Sequence, residues 1–236
     1  MQRILAYIGV AAIIAFLVAA PDIFGRYNLE ILTVLLIHIV LAQGYRLVAV
    51  TGDWSLGHLA LMGCGAYGAA MLAKFLGWPF WMTIPLGALA AGVVGALFVL
   101  PLLRTRAFGF FIASFALGEL IRLIWIRLEV PFGGSRGIVG IMTEPVAGVT
   151  FGMQVPYYYL TLGVTLAALW VLWRLDQSRY GDVFEAIHED EELSESVGIS
   201  VAKYRTWAFS LSAFFAGLAG ALLAHKQMAI DPTLFD

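Results

Sequence analysis

Charge is scarce in this sequence and cysteine almost missing. Charged residues fill 13% of the 236 positions and apolar ones 61%, with a mean hydropathy of +0.87. That balance excludes an ordinary soluble domain. The one cysteine, Cys64, lies inside an apolar run, so there is no disulfide framework and no thiolate metal cluster, and it reads as a small packed hydrophobe. No GxxxxGK[ST] occurs, so the chain does not hydrolyse ATP through a P-loop. His38, His58, His188 and His225 show no ligand spacing such as HExxH, which argues against a metal site. A seven-helix retinal protein would need a lysine near mid-membrane, and Lys74 stands too close to the end of its run. Gly133-Gly134-Ser135-Arg136-Gly137 fits G-x-S-x-G, but that motif needs a strand before it and a helix after it. Pro131 and the glycines describe a loop instead, so neither catalytic residue nor cofactor is expected. The net charge of -2 identifies no partner class, and no nucleic-acid partner is expected.

What is abundant is continuous apolar sequence. The runs 4–20, 29–50, 56–76, 80–103, 108–126, 157–173 and 207–224 are each long enough to cross a bilayer. A helix rises about 1.5 Å per residue through a hydrocarbon core about 30 Å thick. Lipid offers backbone amides no partner, so such runs must be helical. The predicted fold class is all-α: a polytopic transmembrane helical bundle of about seven membrane segments, in a single domain over 1–236. Arg3 followed by Ile4–Ala20 resembles a signal peptide, with Val18-Ala19-Ala20 in the place of a cleavage site. The run is long for that role and six others follow, so it reads as a first membrane helix.

Basic residues set the expected orientation. With the N-terminus inside, the cytoplasmic segments hold Arg3, Arg46, Arg104, Arg106, Arg174, Arg179, Lys203 and Arg205. The outer side then holds Arg26, Lys74, Arg122, Arg127, Arg136 and Lys226, eight against six. Segment 174–206 falls in the cytoplasm and 127–156 outside.

Segment 174–206 is where the chain turns acidic, reading RLDQSRYGDVFEAIHEDEELSESVGISVAKYR from Arg174 to Arg205. Asp182 and Glu185 have capping-box spacing, and Phe184, Ile187, Leu193 and Val197 form an apolar stripe. Gly198 is placed to end a helix and Ser200 to cap the next. One or two short amphipathic helices are predicted, held at the membrane surface where a soluble partner can dock. The outer segment 127–156 is rich in Gly and Pro; Phe132, Ile138, Ile141 and Phe151 are expected to lie in the interface. Tyr157, Tyr158 and Tyr159 would form an aromatic belt beside it.

Two spans carry unusual residues. Span 56–76 holds Gly57, Gly63, Gly65 and Gly68 among alanines, which fits either close helix packing or a broken helix along a substrate path. Span 108–126 holds Ser114, Glu119 and Arg122. Glu119 and Arg122 are three apart and can pair on one face, as a structural ion pair or as part of a pathway.

Four blocks in order resemble one family. TGDWSLGHLALMGCGAY (51–67), LLRTRAFGFFIASFALGELIRLI (102–124), FGGSRGIVGI (132–141) and GDVFEAIHEDEELSESVGISVAKYRTWAFSLSAFFAGLAGAL (181–222) are similar to branched-chain amino-acid ABC transporter permeases, most of all their LivM-like branch. The resemblance covers about residues 30–236 and implies an inner-membrane permease half. Its implied partners are a second permease subunit, two cytoplasmic ATP-binding subunits, a periplasmic substrate-binding protein and membrane lipid. It further implies that Gly181, Ala186, Ile187, Glu189, Asp190, Glu191 and Gly198 serve ATPase coupling. Ser55, Gly57, His58, Gly63, Gly65, Tyr67, Ser114 and Glu119 would line or shape the translocation path.

Two departures stand out. The family usually has arginines where this chain has Asp182, Glu185 and His188, which makes the coupling loop far more acidic. Relatives also continue with further membrane helices beyond IDPTLFD, so either this is a truncated product or the remainder is supplied separately. Rival readings are a urea or amide ABC permease, which shares these blocks, and a self-sufficient channel or secondary transporter. The last would need ionisable residues near mid-membrane, and only Glu119 and Arg122 come close.

Overall fold

The computed structural model describes residues 2–105, 108–141 and 152–235. Among them the long helices are α1 (Gln2–Ile23), α2 (Arg26–Val50), α3 (His58–Leu76), α4 (Phe80–Leu102), α5 (Phe108–Arg127), α7 (Gln154–Asp176) and α10 (Val201–Gln227). Short helices α6 (Glu129–Phe132), α8 (Arg179–Glu189) and α9 (Glu191–Ser196) lie in the connections. Six helices, α2, α3, α4, α5, α7 and α10, are long and apolar enough to cross a membrane. The first predicted span falls on α1, whose described stretch Ala11–Ile23 is apolar but shorter. Helices α7 and α10 run past the predicted apolar limits at both ends, because hydrogen bonding continues into the polar interface where hydropathy no longer marks it.

Helix α10 is the axis of the bundle. It packs against α4, α3 and α2, and is the most enclosed of the six spans. Helix α7 covers the far side of α2, α1 lies against α2 and α7, and α5 flanks α3 as the least enclosed span. Lipid is as apolar as leucine, so helices gain from meeting only through close contact and hydrogen bonds. Small residues supply that contact here. A Cβ on Gly65 would overlap the Gly217 backbone, and one on Gly220 would overlap the carbonyl of Met62. Helix α3 is continuous through Gly63, Gly65 and Gly68, so its glycines serve close crossing and not a break.

Segment 127–156 differs from the expectation that its apolar residues lie in the interface. Gly133 to Gly137 form a tight 3-10 turn after α6, followed by strand β1 (Ile138–Val139). This strand pairs antiparallel with β2 (Ala229–Ile230), just after α10. Ile138 and Ile141 are thereby buried in the core instead of facing the interface. Phe151 and Arg106 lie outside the described residues. Tyr157 and Tyr158 also depart from the predicted belt. Both are buried, because each hydroxyl finds a backbone acceptor inside the bundle: Leu222 O at 2.5 Å and Leu17 O at 2.7 Å. Tyr159 alone remains exposed.

Candidate functional site

The acidic segment folds into two helices at one end of the bundle. Ser178 caps α8 by accepting from Tyr180 N at 3.2 Å, so the helix begins earlier than the capping box at Asp182 and Glu185 predicted. Asp190 caps α9 by accepting from Leu193 N at 2.9 Å. Gly198, at φ +87°, ends the unit in the left-handed region that favours glycine. Phe184 and Ile187 turn inward and are buried. Leu193 and Val197, predicted to extend that stripe, are 61% and 69% exposed. The turn at Asp190 separates the helices and rotates α9 out of register with α8.

The predicted coupling residues gather in this unit. Gly181 lies so close to the Asp176 backbone that a Cβ would overlap it, which seats α8 against the end of α7. The carbonyl of Ala186 accepts from Asp190 N and from Ser194 Oγ, each at 3.1 Å, locking α9 onto α8. Glu189 and Asp190 are exposed, along with Asp182, Glu185, Glu192 and Glu195, while Glu191 is half-buried. The outward face therefore combines carboxylates with Leu193 and Val197.

The residues predicted for a path divide into two groups. Gly57, Ser114 and Glu119 come together where the foot of α3 meets α5. A Cβ at Gly57 would stand 2.7 Å from Ser114 O, and Ser114 Oγ accepts from Leu56 N at 3.0 Å while donating to Phe111 O at 2.8 Å. Glu119 receives two bonds from Arg122, at 2.8 Å and 2.5 Å. Both line a groove of about 220 Å³ with Leu56, Leu59, Phe115 and Phe235. Ser55 is buried beside this junction. Gly63 and Tyr67 lie further along α3, packed on Trp125, with the Tyr67 and Trp125 rings stacked at 4.7 Å.

His58 and Gly65 face elsewhere. The His58 ring lies 2.6 Å from Ser212 Oγ on α10 and edge-on to Tyr45 and Phe209. Gly65 is the α10 crossing point.

Between the α8–α9 unit and the groove stands a pair that no sequence motif singled out. Arg205, in the first turns of α10, grips Asp53 in the linker 51–57 through both carboxylate oxygens. The two are 152 positions apart, so no spacing rule could join them. Burial raises the Asp53 carboxyl above its ordinary value, and the hydrogen bond and charge of Arg205 work against that rise.

Residues 27–236 match the family model described as "Branched-chain amino acid transport system / permease component". The chain belongs to this family. It is 30% identical to the high-affinity branched-chain amino acid transport system permease protein LivM of Salmonella typhimurium, over 95% of this chain and 58% of that protein. The same figures hold for LivM of Escherichia coli. The probable branched-chain amino acid transport permease protein LivH of Methanocaldococcus jannaschii is 24% identical over 83% of this chain and 64% of its own length. The chain thus spans less than two thirds of each of these relatives. No solved structure matches it. The permease is a multi-pass membrane protein.

Proposed function

We propose that this permease forms part of the translocation path of an ABC importer for branched-chain or similar small amino acids. In this reading α8 and α9 lie in the cytoplasm beneath the inner membrane and receive an ATP-binding subunit. A second permease subunit completes the path, a second ATP-binding subunit docks on it, and a periplasmic binding protein delivers the solute from outside.

The observation that carries the reading is the rigid, outward-facing α8–α9 unit. It is capped at both helix starts, seated on α7 through Gly181 and fastened to α10 through Arg205. A solvated loop would need none of these fastenings. An element that transmits force must be stiff and tied to the helices it moves. Its exposed carboxylates call for a partner surface rich in lysine or arginine, with an apolar seat for Leu193 and Val197.

Closure of the ATPases on ATP would shift α8–α9 and hence α10, and the bundle would exchange two arrangements with different affinities for the ATPase states. The test is reconstitution of the permease with its partner subunits in liposomes, following tritiated leucine. ATP-dependent uptake that fails without the ATPases is expected. Uptake by this chain alone, driven by an ion gradient, would sink the reading.

A further inference from the structure

We propose that Arg205 is the positioning residue that carries movement of α8–α9 into the groove between α3 and α5; this rests on the coupling role proposed above. One guanidinium meets three other parts of the chain. Its Nε donates to Asp53 Oδ2 at 2.7 Å and Nη2 donates to Oδ1, closing a two-point clamp on the linker 51–57. Its Nη1 stands 3.7 Å from Glu191 Oε1 in the first turn of α9. Its central carbon lies 5.8 Å over the Phe110 ring of α5.

Arg205 and Asp53 are 7% and 4% exposed. Charges so enclosed are costly to desolvate, and a well-packed apolar pair would join these elements as firmly. What the charged fork adds is direction. A planar guanidinium bound at two points fixes the orientation of its carboxylate as well as its distance, which an ammonium cannot do. The contact to Glu191 ties α9 to the guanidinium, so a shift of α9 draws on Arg205, and the two-point clamp carries Asp53 with it.

The linker passes that displacement onward. Three residues beyond Asp53, the Leu56 N–H is bonded to Ser114 Oγ on α5 at 3.0 Å. One residue further, Gly57 sits against the Ser114 carbonyl. The contacts Glu191–Arg205 and Arg205–Asp53, the linker backbone from Asp53 to Leu56, and the Leu56–Ser114 bond therefore connect the docking unit to the groove. Contiguity alone does not establish coupling, so the experiment measures coupling itself.

The assembled importer in liposomes is assayed for ATP hydrolysed per tritiated leucine taken up. Arg205→Lys keeps the charge and loses the fork; Asp53→Asn keeps the shape and loses the charge. In both, the ATPases are expected to remain bound while ATP consumed per leucine rises about tenfold, within the usual range of coupling between sites. A merely structural role would lower the yield of complex, and both rates with it, leaving the ratio unmoved. An unchanged ratio in either intact variant overturns the proposal. If Arg205→Lys fails to assemble, Asp53→Asn decides by the same ratio; failure of both marks the pair as structural and also overturns it. If the unmodified permease never binds ATPases, the coupling reading itself falls, a distinct result.

Discussion

Gly65 and Gly217 meet backbone to backbone where α3 crosses α10, with no room between them for a single methyl group. Gly220 repeats the contact one turn on, against Met62. These crossings hold the bundle's axis to its neighbour, so enlarging them must separate the helices. Gly65→Val and Gly220→Val are each expected to destabilise the permease by roughly 1–3 kcal/mol, or to prevent its folding. Gly140→Val, on a turn outside the bundle with open space around it, tests backbone strain alone. Thermal unfolding in detergent distinguishes them: the two bundle variants are expected to melt lower than Gly140→Val.

The clamp between Arg205 and Asp53 makes a prediction in pH. Arg205→Met leaves a buried carboxylate without its partner, which typically costs about 3–5 kcal/mol. With the guanidinium gone, burial and the charge of Glu191 act on Asp53 unopposed, and both raise its folded-state pKa above the ordinary 3.8. A folded-state pKa raised in this way costs stability as pH climbs from the unfolded value to the folded one, and restores it on acidification. Denaturation of Arg205→Met relative to the unmodified permease is therefore expected to show a larger deficit at about pH 8 than at about pH 4. A deficit independent of pH would place the damage in lost packing. Adding Asp53→Leu is expected to recover much of the loss, because the buried carboxylate is then gone.

Surface carboxylates on α8 and α9 imply a salt-sensitive partner. Interactions among exposed charges are screened over about 8 Å at physiological ionic strength and over about 3 Å at about 1 M. Binding of the ATP-binding subunit is expected to weaken as salt rises, and to weaken further when Glu189 and Glu192 are replaced by lysine. Surface plasmon resonance over a salt series measures both. Affinity that is constant across the series and unaffected by the reversal would remove electrostatics from docking.

The groove between α3 and α5 should admit water if it belongs to a path. In a Cys64→Ser background, Leu59→Cys and Phe115→Cys line the groove. Leu89→Cys and Val93→Cys sit on exposed apolar positions of α4. A water-soluble maleimide is expected to label the first pair at least about tenfold faster, since a thiol reacts as thiolate and ionises poorly in hydrocarbon. Equal, slow labelling at all four positions would show a groove filled by lipid.

The helical spans were legible because lipid makes each one a self-contained demand: a long apolar run must satisfy its own amides. The acidic unit was legible for a similar reason, since Gly198 and the carboxylate run act locally. Its finer pattern was not. The caps that operate are Ser178 and Asp190, and the turn at Asp190 swings Leu193 out of the stripe containing Phe184 and Ile187. Long-range partners were hidden altogether. Asp53 reads as a polar residue in a linker until α10 brings Arg205 to it, and Tyr158 reads as an interfacial aromatic until Leu17 offers a carbonyl. The β1–β2 pairing joins segments separated by α7 to α10 and has too few residues for any periodic signal. Among the residues predicted for a path, His58 and Gly65 turn toward α10 while Gly57 meets α5, and which side of α3 faces which helix is decided by packing.

Impermeant maleimide labelling in whole cells asks which side of the membrane holds the α8–α9 unit. The permease carries Cys64→Ser with a cysteine at Glu192, on α9, or at Tyr27, at the opposite end of the bundle. Glu192→Cys should react only after the inner membrane is permeabilised, and Tyr27→Cys in intact cells once the outer membrane is opened. Labelling of Glu192→Cys while the inner membrane is sealed would put the acidic face outside, beyond reach of any ATPase.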